Sequence, residues 1–301
     1  MPTWRELREH AERALAGAAV TSPTLEAHRI VEEASGRRGG ELVLADAQSA
    51  PRGAAARVER MVARRVAGEP LQYVLGSWAF LGLDVMVDAR VLIPRPETEI
   101  TAQVAIDEAV RLGARRGRVV AGRTPAGATF LAADLGTGSG VLALALASAL
   151  RDAEVWATDV STDALAVARA NLAGAGAAAT QVRLAQGDWF DALPDALRGR
   201  LRLVVANPPY VTEGELDALA PEIARHEPRV ALVSGPTGLE AIERIVADAP
   251  EWLDPGGALV CELAPQQRDA AIERVRAAGF EHADVRADLT GRDRVLVARR
   301  A

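Results

Sequence analysis

The stretch TFLAADLGTGSGVLALALASAL, residues Thr129–Leu150, joins a short apolar run to a longer one through a glycine-rich turn. The first run has the length of a buried strand, and the second, rich in alanine and leucine, is typical of a helix. Gly136, Gly138 and Gly140 lie between the two runs, where glycine lets the backbone approach a ligand closely. The helix that follows would turn its amino terminus toward polar or anionic groups. The stretch therefore predicts the first strand and helix of an open α/β sheet, with a ligand at the turn.

Apolar runs and helical stretches alternate from about Thr129 to the end of the chain. The runs are TFLAAD, EVWATD, QVRLAQ, LRLVVA and GALVCEL, followed by a closing helix AAIERVRAAGF and a final strand DRVLVAR. Alternation of this kind is typical of a parallel sheet with helices on both faces. The predicted fold class is α/β, a doubly wound Rossmann-like domain.

The amino-terminal part of the chain predicts a small helical domain and a hairpin. Thr3 and Glu6 have the spacing of a capping box, and Ser22-Pro23 offers a cap and a first-turn proline for a second helix. Beyond Trp78 the apolar period becomes two, which indicates a hairpin. Pro94 and Pro96 are expected to prevent regular structure before a helix that opens at Glu97 to Glu99. The predicted domains are residues 1–72 (helical, substrate-docking), 73–93 (hairpin linker) and 94–301 (sheet domain).

Composition narrows the class of function. The formal net charge is −6, and all 35 basic residues are arginine, so a general nucleic-acid binder is not expected. The local exception is the arginine-rich run from Arg111 to Arg123, which we interpret as a solvated loop. The longest apolar stretch is shorter than the roughly 20 residues that a membrane span needs, and the charged amino terminus does not resemble a signal peptide.

Cysteine and histidine usage indicates a cytoplasmic protein without a metal site. Cys261 is the only cysteine, so an internal disulfide is impossible and a reducing compartment is expected. The four histidines, His10, His28, His226 and His282, are scattered without the spacing of metal ligands.

Two further motifs follow predicted strands. Asp159 lies nineteen residues beyond Gly140, a position where a carboxylate accepts hydrogen bonds from ribose hydroxyls in this fold. A helix cap is the alternative role, although Ser161 can serve as the cap. Asp188-Trp189-Phe190 follows the third run, and its indole could flank an adenine ring or belong to the core. The glycine loop has G-x-G-x-G spacing, which differs from the dinucleotide pattern G-x-G-x-x-G.

The tetrapeptide Asn207-Pro208-Pro209-Tyr210 follows the fourth run, at the edge where open α/β sheets bind ligands. Its prolines stiffen the backbone, so that the carbonyl groups of Asn207 and Pro208 can face a substrate. The Asn207 side chain adds another acceptor, and Tyr210 adds a flat wall. These acceptors suit a planar –NH2 group, which can be an amide or an exocyclic amine. A purely structural turn is the alternative.

The ordered set of motifs resembles the S-adenosylmethionine-dependent methyltransferases that act on amino groups. A closer resemblance, to the bacterial release factor glutamine methyltransferase family, rests on GEPLQYVLGSWAFLGLDVMV, VLIPRPETE, DLGTGSG, DWF, NPPY, HEPRVAL and LTGRDRVLVAR. It runs from about Gly68 to the end of the chain. The sequence departs from the family pattern in PTGL at Pro236–Leu239 and in ELAPQQ at Glu262–Gln267.

The resemblance implies an activity and a set of site residues. The cofactor would be S-adenosylmethionine, leaving as S-adenosylhomocysteine, and its implied contacts are Gly136, Thr137, Gly138, Ser139, Gly140, Asp159, Trp189 and Asn207. The implied catalytic residues, which hold the substrate glutamine, are Asn207, Pro208, Pro209 and Tyr210. Peptide chain release factors would be the protein substrates, methylated on the glutamine side-chain nitrogen (N5) of their Gly-Gly-Gln loop. The protein is expected to be a cytoplasmic monomer without membrane or direct nucleic-acid partners.

Three other functions remain open at this point. A related enzyme could methylate a ribosomal-protein glutamine, and the catalytic core alone does not exclude it. NPPY would also serve adenine N6 methylation of DNA, although the acidic charge and the lack of a basic recognition domain disfavour this. A cofactor-binding regulator without turnover would leave the acceptor tetrapeptide unexplained.

Overall fold

The computed structural model describes residues 1–118 and 129–301. The helices of these residues are α1 (Trp4–Gly17), α2 (Pro23–Ser35), α3 (Gly40–Leu44), α4 (Arg52–Val66), α5 (Leu71–Leu75), α6 (Pro96–Arg111), α7 (Val141–Ala149), α8 (Thr162–Gly174), α9 (Pro221–His226), α10 (Arg229–Leu232), α11 (Glu240–Trp252) and α12 (Arg268–Ala277). The strands are β1 (Ser77–Phe80), β2 (Leu83–Met86), β3 (Phe130–Leu135), β4 (Ala153–Asp159), β5 (Val182–Gln186), β6 (Leu201–Ala206), β7 (Val211–Thr212), β8 (Val233–Gly235), β9 (Leu253–Glu262), β10 (His282–Ala287) and β11 (Asp293–Arg299).

The first compact unit is helical and contains Met1–Trp78 together with Ala220–His226. Its helices bury apolar stripes against one another, as the sequence predicts. The predicted capping box is present, since the Thr3 hydroxyl accepts the Glu6 N–H at 3.2 Å and the Glu6 carboxylate accepts the Thr3 N–H at 2.8 Å. Pro23 begins α2 as predicted, but Ser22 makes no side-chain capping bond.

The late helix α9 is joined to this unit by an ion pair between Glu222 and Arg65. The Arg65 side chain is only 11% exposed, and it donates to the Glu26 carboxylate at 2.6 Å and to the Glu222 carboxylate at 2.9 Å. Glu222 lies on α9, so a segment from the second half of the chain neutralises a charge in the amino-terminal unit. Sequence periodicity gives no sign of this arrangement.

The second compact unit, Ala79–Leu219 with Glu227–Ala301, is built on a seven-stranded sheet. The strand order is β10-β11-β9-β6-β3-β4-β5, and β9, β6, β3, β4 and β5 are mutually parallel. The predicted doubly wound α/β class is confirmed. One closing strand is predicted from the sequence, whereas two are present, because β10 pairs antiparallel with β11.

Chain order reverses between β3 and β6, which are neighbours although β4 and β5 separate them in sequence. In open sheets a reversal of this kind opens a crevice at the carboxyl ends of the strands. The register across the crevice is aligned: Leu135 lies beside Ala206, and Ala206 lies beside Cys261. The residues that follow these three therefore leave the sheet at the same level.

The β1–β2 hairpin is present as predicted. It is joined to α8 by Asn171, whose side chain accepts the Met86 N–H at 2.7 Å and donates to the Met86 carbonyl at 3.0 Å. The expectation for Pro96 is wrong. Pro96 begins α6, a position where the missing N–H would have no helical partner in any case.

The arginine-rich run is partly described. Arg111 donates to Glu108 at 2.7 Å and Arg115 to Asp152 at 2.8 Å, while Arg116 pairs with Asp107. Residues 119–123 of the run, including Arg123, lie outside the described residues. Within residues 1–118 and 129–301, no helix is both long and apolar enough to cross a membrane.

Glu108 joins α6 to the antiparallel edge of the sheet. Its carboxylate, in a residue only 2% exposed, accepts hydrogen bonds from Arg111, Arg286 and Arg299. Burial raises the pKa of Glu108, but the hydrogen bonds and charges of Arg299 and Arg111 outweigh it and bring the pKa to about 2. Because this value lies below the ordinary 4.5, the ionised pairs stabilise the fold above the unfolded-state pKa, and this stabilisation is lost as the pH falls through about 2.

We therefore expect Glu108→Gln to lower the free energy of unfolding at pH 7, and to lower it by a smaller amount at pH 3. Urea unfolding at the two pH values measures both differences. Glu273→Gln is the matched control, since that side chain is 76% exposed, and it should have little effect at either pH. A deficit for Glu108→Gln that is as large at pH 3 as at pH 7 would contradict the assignment.

Candidate active site

The glycine loop follows β3 and leads into α7. Gly136, Gly138 and Gly140 all have positive φ angles, of 69°, 56° and 86°, which explains the need for glycine at each position. The Gly138 N–H donates to an oxygen of Asp159 at 2.9 Å. The loop is thereby fastened to the end of the neighbouring strand β4.

Asp134, at the end of β3, is fully buried beneath the loop. Its Oδ2 atom accepts the Thr137 hydroxyl at 2.6 Å and the Ala143 N–H at 3.0 Å. Burial raises the pKa of Asp134 to about 7, against the opposing effect of these two hydrogen bonds. The carboxyl links the loop to the first turn of α7 and so holds the loop conformation.

Asp159 ends β4, as the sequence predicts, and it lines the crevice. Oδ2 accepts the Gly138 N–H, and Oδ1 accepts the Ser161 N–H at 2.9 Å. Burial raises the pKa of Asp159, while these two backbone hydrogen bonds lower it. Ser161 caps α8, since its hydroxyl accepts the Ala164 N–H at 3.1 Å. Asp159 is therefore not the helix cap, and its carboxylate faces the glycine loop.

The sequence leaves open whether the Trp189 indole lines a ligand site or belongs to the core. Trp189 lines the crevice and packs partly buried against the core, whereas Phe190 lies within the core. Phe190 is 1% exposed and stacks on Trp252 with ring centroids 5.7 Å apart, so it belongs to the core. Trp189 has a positive φ of 46° and lines the crevice. A β-carbon at Gly136 would lie 3.0 Å from its indole ring, so glycine at that position makes room for the ring.

The tetrapeptide leaves the sheet directly after β6. The Asn207 amide nitrogen donates to the Thr98 hydroxyl at 3.1 Å, which directs the opposite end of the amide, Oδ1, away from Thr98. Pro208 is buried, whereas Pro209 and Tyr210 are half-buried. Burial raises the pKa of the Tyr210 phenol to about 12, and the nearby Glu262 contributes to the increase.

The two departures from the family pattern meet behind the tetrapeptide. The Gln267 amide nitrogen donates to the Gly238 carbonyl at 2.8 Å and to the Tyr210 carbonyl at 3.3 Å. Its oxygen accepts the Ala264 N–H at 3.0 Å. The sequence ELAPQQ thus supplies an amide that holds the end of the tetrapeptide.

These elements enclose a cavity of about 360 Å³, the scale of a small-molecule site. Most of the predicted site residues line it, namely Gly136, Thr137, Gly138, Ser139, Asp159, Trp189, Asn207 and Pro209. Gly140, Pro208 and Tyr210 do not line it. Gly140 instead packs against α8, where a β-carbon would lie 3.3 Å from that of Ala168.

Several residues of this wall are not predicted from the sequence. Thr98, Arg90 and Val91 come from VLIPRPETE and the residues just before it, and Ser234, Glu240 and Ala241 come from β8 and the start of α11. The sequence feature that could have pointed to Thr98 is VLIPRPETE itself. This proline-rich segment contains the Thr98 hydroxyl and three charged side chains, Arg95, Glu97 and Glu99. Among the described residues, no cluster of three or more His, Cys, Asp or Glu side chains could hold a metal ion.

Two family models match the chain. The first is the PrmC N-terminal domain, over residues 6–76, and the second is the methyltransferase small domain, over residues 124–275. A relative from Deinococcus radiodurans is 38% identical over 99% of this chain and 98% of its own length. One from Moorella thermoacetica is 37% identical over 99% of both chains. Each is named release factor glutamine methyltransferase.

Solved structures resemble the chain at much lower identity. The catalytic domain of human hMettl16, in complex with MAT2A 3'UTR hairpin 6, has a TM-score of 0.52 and 15% identity, and the match covers 82% of this chain and 81% of that one. At this identity the likeness establishes the methyltransferase fold alone.

Proposed function

Because this chain belongs to the release factor glutamine methyltransferase family, we infer that it transfers a methyl group from S-adenosylmethionine to the side-chain nitrogen (N5) of the glutamine in the Gly-Gly-Gln loop of release factors. The observation that carries the inference is the orientation of Asn207. Its amide nitrogen donates one N–H to Thr98, and the oxygen at the other end of the amide is an acceptor for an incoming –NH2 group. An acceptor with this orientation lies in the wall of a cavity that has the elements of a nucleoside site.

The cavity fits S-adenosylmethionine in size and in chemistry. The Asp159 carboxylate would accept the ribose hydroxyls, since each of its oxygens keeps a lone pair beyond its single backbone donor. The Trp189 indole would flank the adenine ring. The loop from Gly136 to Ser139 would face the polar methionyl part at the start of α7.

The residues of the tetrapeptide would position the substrate rather than ionise it. An amide nitrogen is a weak nucleophile because its lone pair is delocalised into the carbonyl group. Asn207 Oδ1, in the cavity wall, would accept one of its hydrogens, orient the nitrogen and increase its electron density. The carbonyl of Pro208, a residue that does not itself line the cavity, would accept the second hydrogen at the edge of this wall. The cofactor supplies an electrophilic methyl group on a sulfonium, and the acceleration would come from alignment and preorganised dipoles. Once the methyl group has transferred, the extra proton can leave to water.

A ribosomal-protein glutamine and a DNA adenine, the two alternative substrates, agree with fewer of these observations. Relatives that match over nearly the whole chain are named for release factor glutamine rather than for a ribosomal protein. DNA adenine methylation would require a basic surface, whereas this chain carries a net charge of −6.

We propose that the helical unit docks the release factor, since a glutamine on a loop offers few contacts of its own. Its short helix α3 ends in two exposed apolar side chains, Val43 at 59% and Leu44 at 86%, and exposed apolar residues side by side suit a protein contact. Because Ala220–His226 completes this unit, deleting residues 1–72 would uncover that segment. Point substitutions are therefore the sharper test.

For the acceptor, we expect Asn207→Ala to lower methyl transfer to an intact release factor by roughly 10²–10³-fold, the cost of losing one preorganised partner. Methyl incorporation from labelled cofactor measures the rate, and thermal unfolding checks the fold. Gln266→Ala is the control, an exposed amide in the turn that follows β9. Turnover by Asn207→Ala close to that of the control would refute the proposed mechanism.

For the cofactor, we expect Asp159→Ala to weaken S-adenosylmethionine binding by about 1.5–3 kcal/mol, the range for hydrogen bonds to a charged group. Titration calorimetry on the protein alone measures this affinity without turnover. Asp163→Ala removes an exposed carboxylate from the first turn of α8 and should leave the affinity unchanged. Equal affinities for the two variants would mean that Asp159 does not hold the ribose.

For docking, we expect Leu44→Asp to raise KM for the intact release factor by roughly 5- to 30-fold, the effect of losing one to two kcal/mol at an interface. The affinity for cofactor and the slow turnover of a short Gly-Gly-Gln peptide should not change. Val110→Asp is the control, an apolar residue 36% exposed near the end of α6. The docking role is wrong if both variants methylate the factor with the KM of the unaltered protein.

A further inference from the structure

The direction in which the Asn207 amide points is set from behind by two residues that do not belong to the tetrapeptide. Thr98, on the first turn of α6, is 2% exposed, and its hydroxyl accepts the Asn207 N–H at 3.1 Å. Glu262, at the end of β9, is fully buried. It follows Cys261, which pairs with Ala206 just before Asn207, so Glu262 and Asn207 leave neighbouring strands at the same level.

We propose that Thr98 and Glu262 are positioning residues for Asn207. Thr98 holds the amide nitrogen, and Glu262 draws the Thr98 proton toward itself, so that the hydroxyl accepts from Asn207 rather than donating to it. The proposal rests on the proposed function, because it concerns how the same acceptor is oriented.

The chemical reason is that an asparagine amide has two ends of similar shape and opposite polarity. A threonine hydroxyl can bind either end, as an acceptor for the –NH2 or as a donor to the oxygen. If Thr98 donated to Oδ1, the amide would turn its –NH2 toward the substrate, and two donors would face each other. Methyl transfer to an amide nitrogen therefore requires Thr98 to send its own proton elsewhere.

Glu262 provides the acceptor for that proton. Thr101, one turn along α6, donates to Glu262 Oε2 at 3.0 Å. Thr98 lies three residues before Thr101 on α6, the spacing of neighbours on one face of a helix, and its hydroxyl acts to lower the pKa of Glu262. Glu262 Oε1 is buried and has no hydrogen-bond partner among the described residues, so it is free to accept the Thr98 proton. An ionised carboxylate only accepts, so it favours the Thr98 proton pointing toward β9 and leaves the oxygen lone pairs for Asn207.

The charged groups around Glu262 make this arrangement sensitive to pH. Burial raises the pKa of Glu262 to about 7, and Glu97 of α6 adds to the increase. Arg294 of β11 opposes it together with the two threonine hydroxyls. The charge of Glu262 also contributes to the raised pKa values of Tyr210 and Cys261, so both groups are close enough to interact with it. As the pH falls below about 7, Glu262 gains a proton, becomes a possible donor and no longer fixes the direction of the Thr98 hydroxyl.

The test compares Thr98→Val, Thr98→Ser and Thr158→Val in the full chain. Valine keeps the shape of threonine without the hydroxyl, and serine keeps the hydroxyl. Thr158 is the matched control, a fully buried threonine on β4 whose hydroxyl has no partner in the described residues. We expect Thr98→Val to lower kcat roughly 10- to 100-fold, the cost of a misplaced reacting group, with the Kd for S-adenosylmethionine unchanged. Thr98→Ser should recover most of the rate, and Thr158→Val should match the unaltered protein.

The second measurement is the dependence of kcat on pH between 6 and 8. The unaltered protein should slow several-fold toward pH 6, and Glu262→Gln, which cannot titrate, should lose this dependence. A merely structural role for Glu262 would lower activity without changing the shape of the profile.

Three outcomes would overturn the positioning role while leaving the proposed function intact. They are a wild-type kcat in Thr98→Val, equal loss in Thr98→Val and Thr98→Ser, and a pH profile that Glu262→Gln leaves unchanged. Failure of the unaltered protein to methylate any release factor would instead refute the proposed function.

Discussion

The aligned register of β3, β6 and β9 is the constraint on which the rest of the site depends. Because Leu135, Ala206 and Cys261 are successive partners across three parallel strands, the residues that follow them, Gly136, Asn207 and Glu262, lie at one level. A slip of a single residue in a parallel strand would turn its side chains to the opposite face. The glycine loop, the acceptor amide and the buried carboxyl are thus brought together by the backbone hydrogen bonds of the sheet.

Two carboxyl groups of a kind that is rarely buried lie near the carboxyl ends of the sheet strands β3 and β9. Asp134 and Glu262 are both fully buried, and burial raises the pKa of each to about 7. Each is held by threonine hydroxyls, and Asp134 by a backbone N–H as well. Burying such groups is costly unless hydrogen bonds compensate, so their placement beneath the loop and behind Asn207 is explained by what they orient. Asp134 shapes the glycine loop, and Glu262 lies behind the acceptor.

Local sequence predicts the parts of the site that depend on local backbone. The glycines, Asp159 and Asn207 follow strands whose apolar runs are plain, and strand ends at one edge of a parallel sheet must meet. The residues that remained unpredicted depend on contacts between distant segments. Thr98 reaches Asn207 only because α6 packs on the sheet, and Glu222 reaches Arg65 only because α9 returns to the helical unit. Tyr210, predicted as a wall for the substrate, is not among the residues that line the cavity, and its carbonyl accepts a hydrogen bond from Gln267, which its own sequence neighbours do not reveal.

The reversal of strand order also separates two tasks. Residues after β3, β4 and β5 form the side of the cavity with the glycine loop, Asp159 and Trp189, all suited to a nucleoside. Asn207 and Pro209, which follow β6, and Thr98 of α6 form another side of the cavity. The side of the cavity with Asn207 needs an amide held in one orientation. The substrate –NH2 group is a donor there, and only the oxygen end of the Asn207 amide can accept from it. The strict requirement on this side is therefore the direction of one amide, and the hydroxyl of Thr98 in the cavity wall imposes it through a single hydrogen bond.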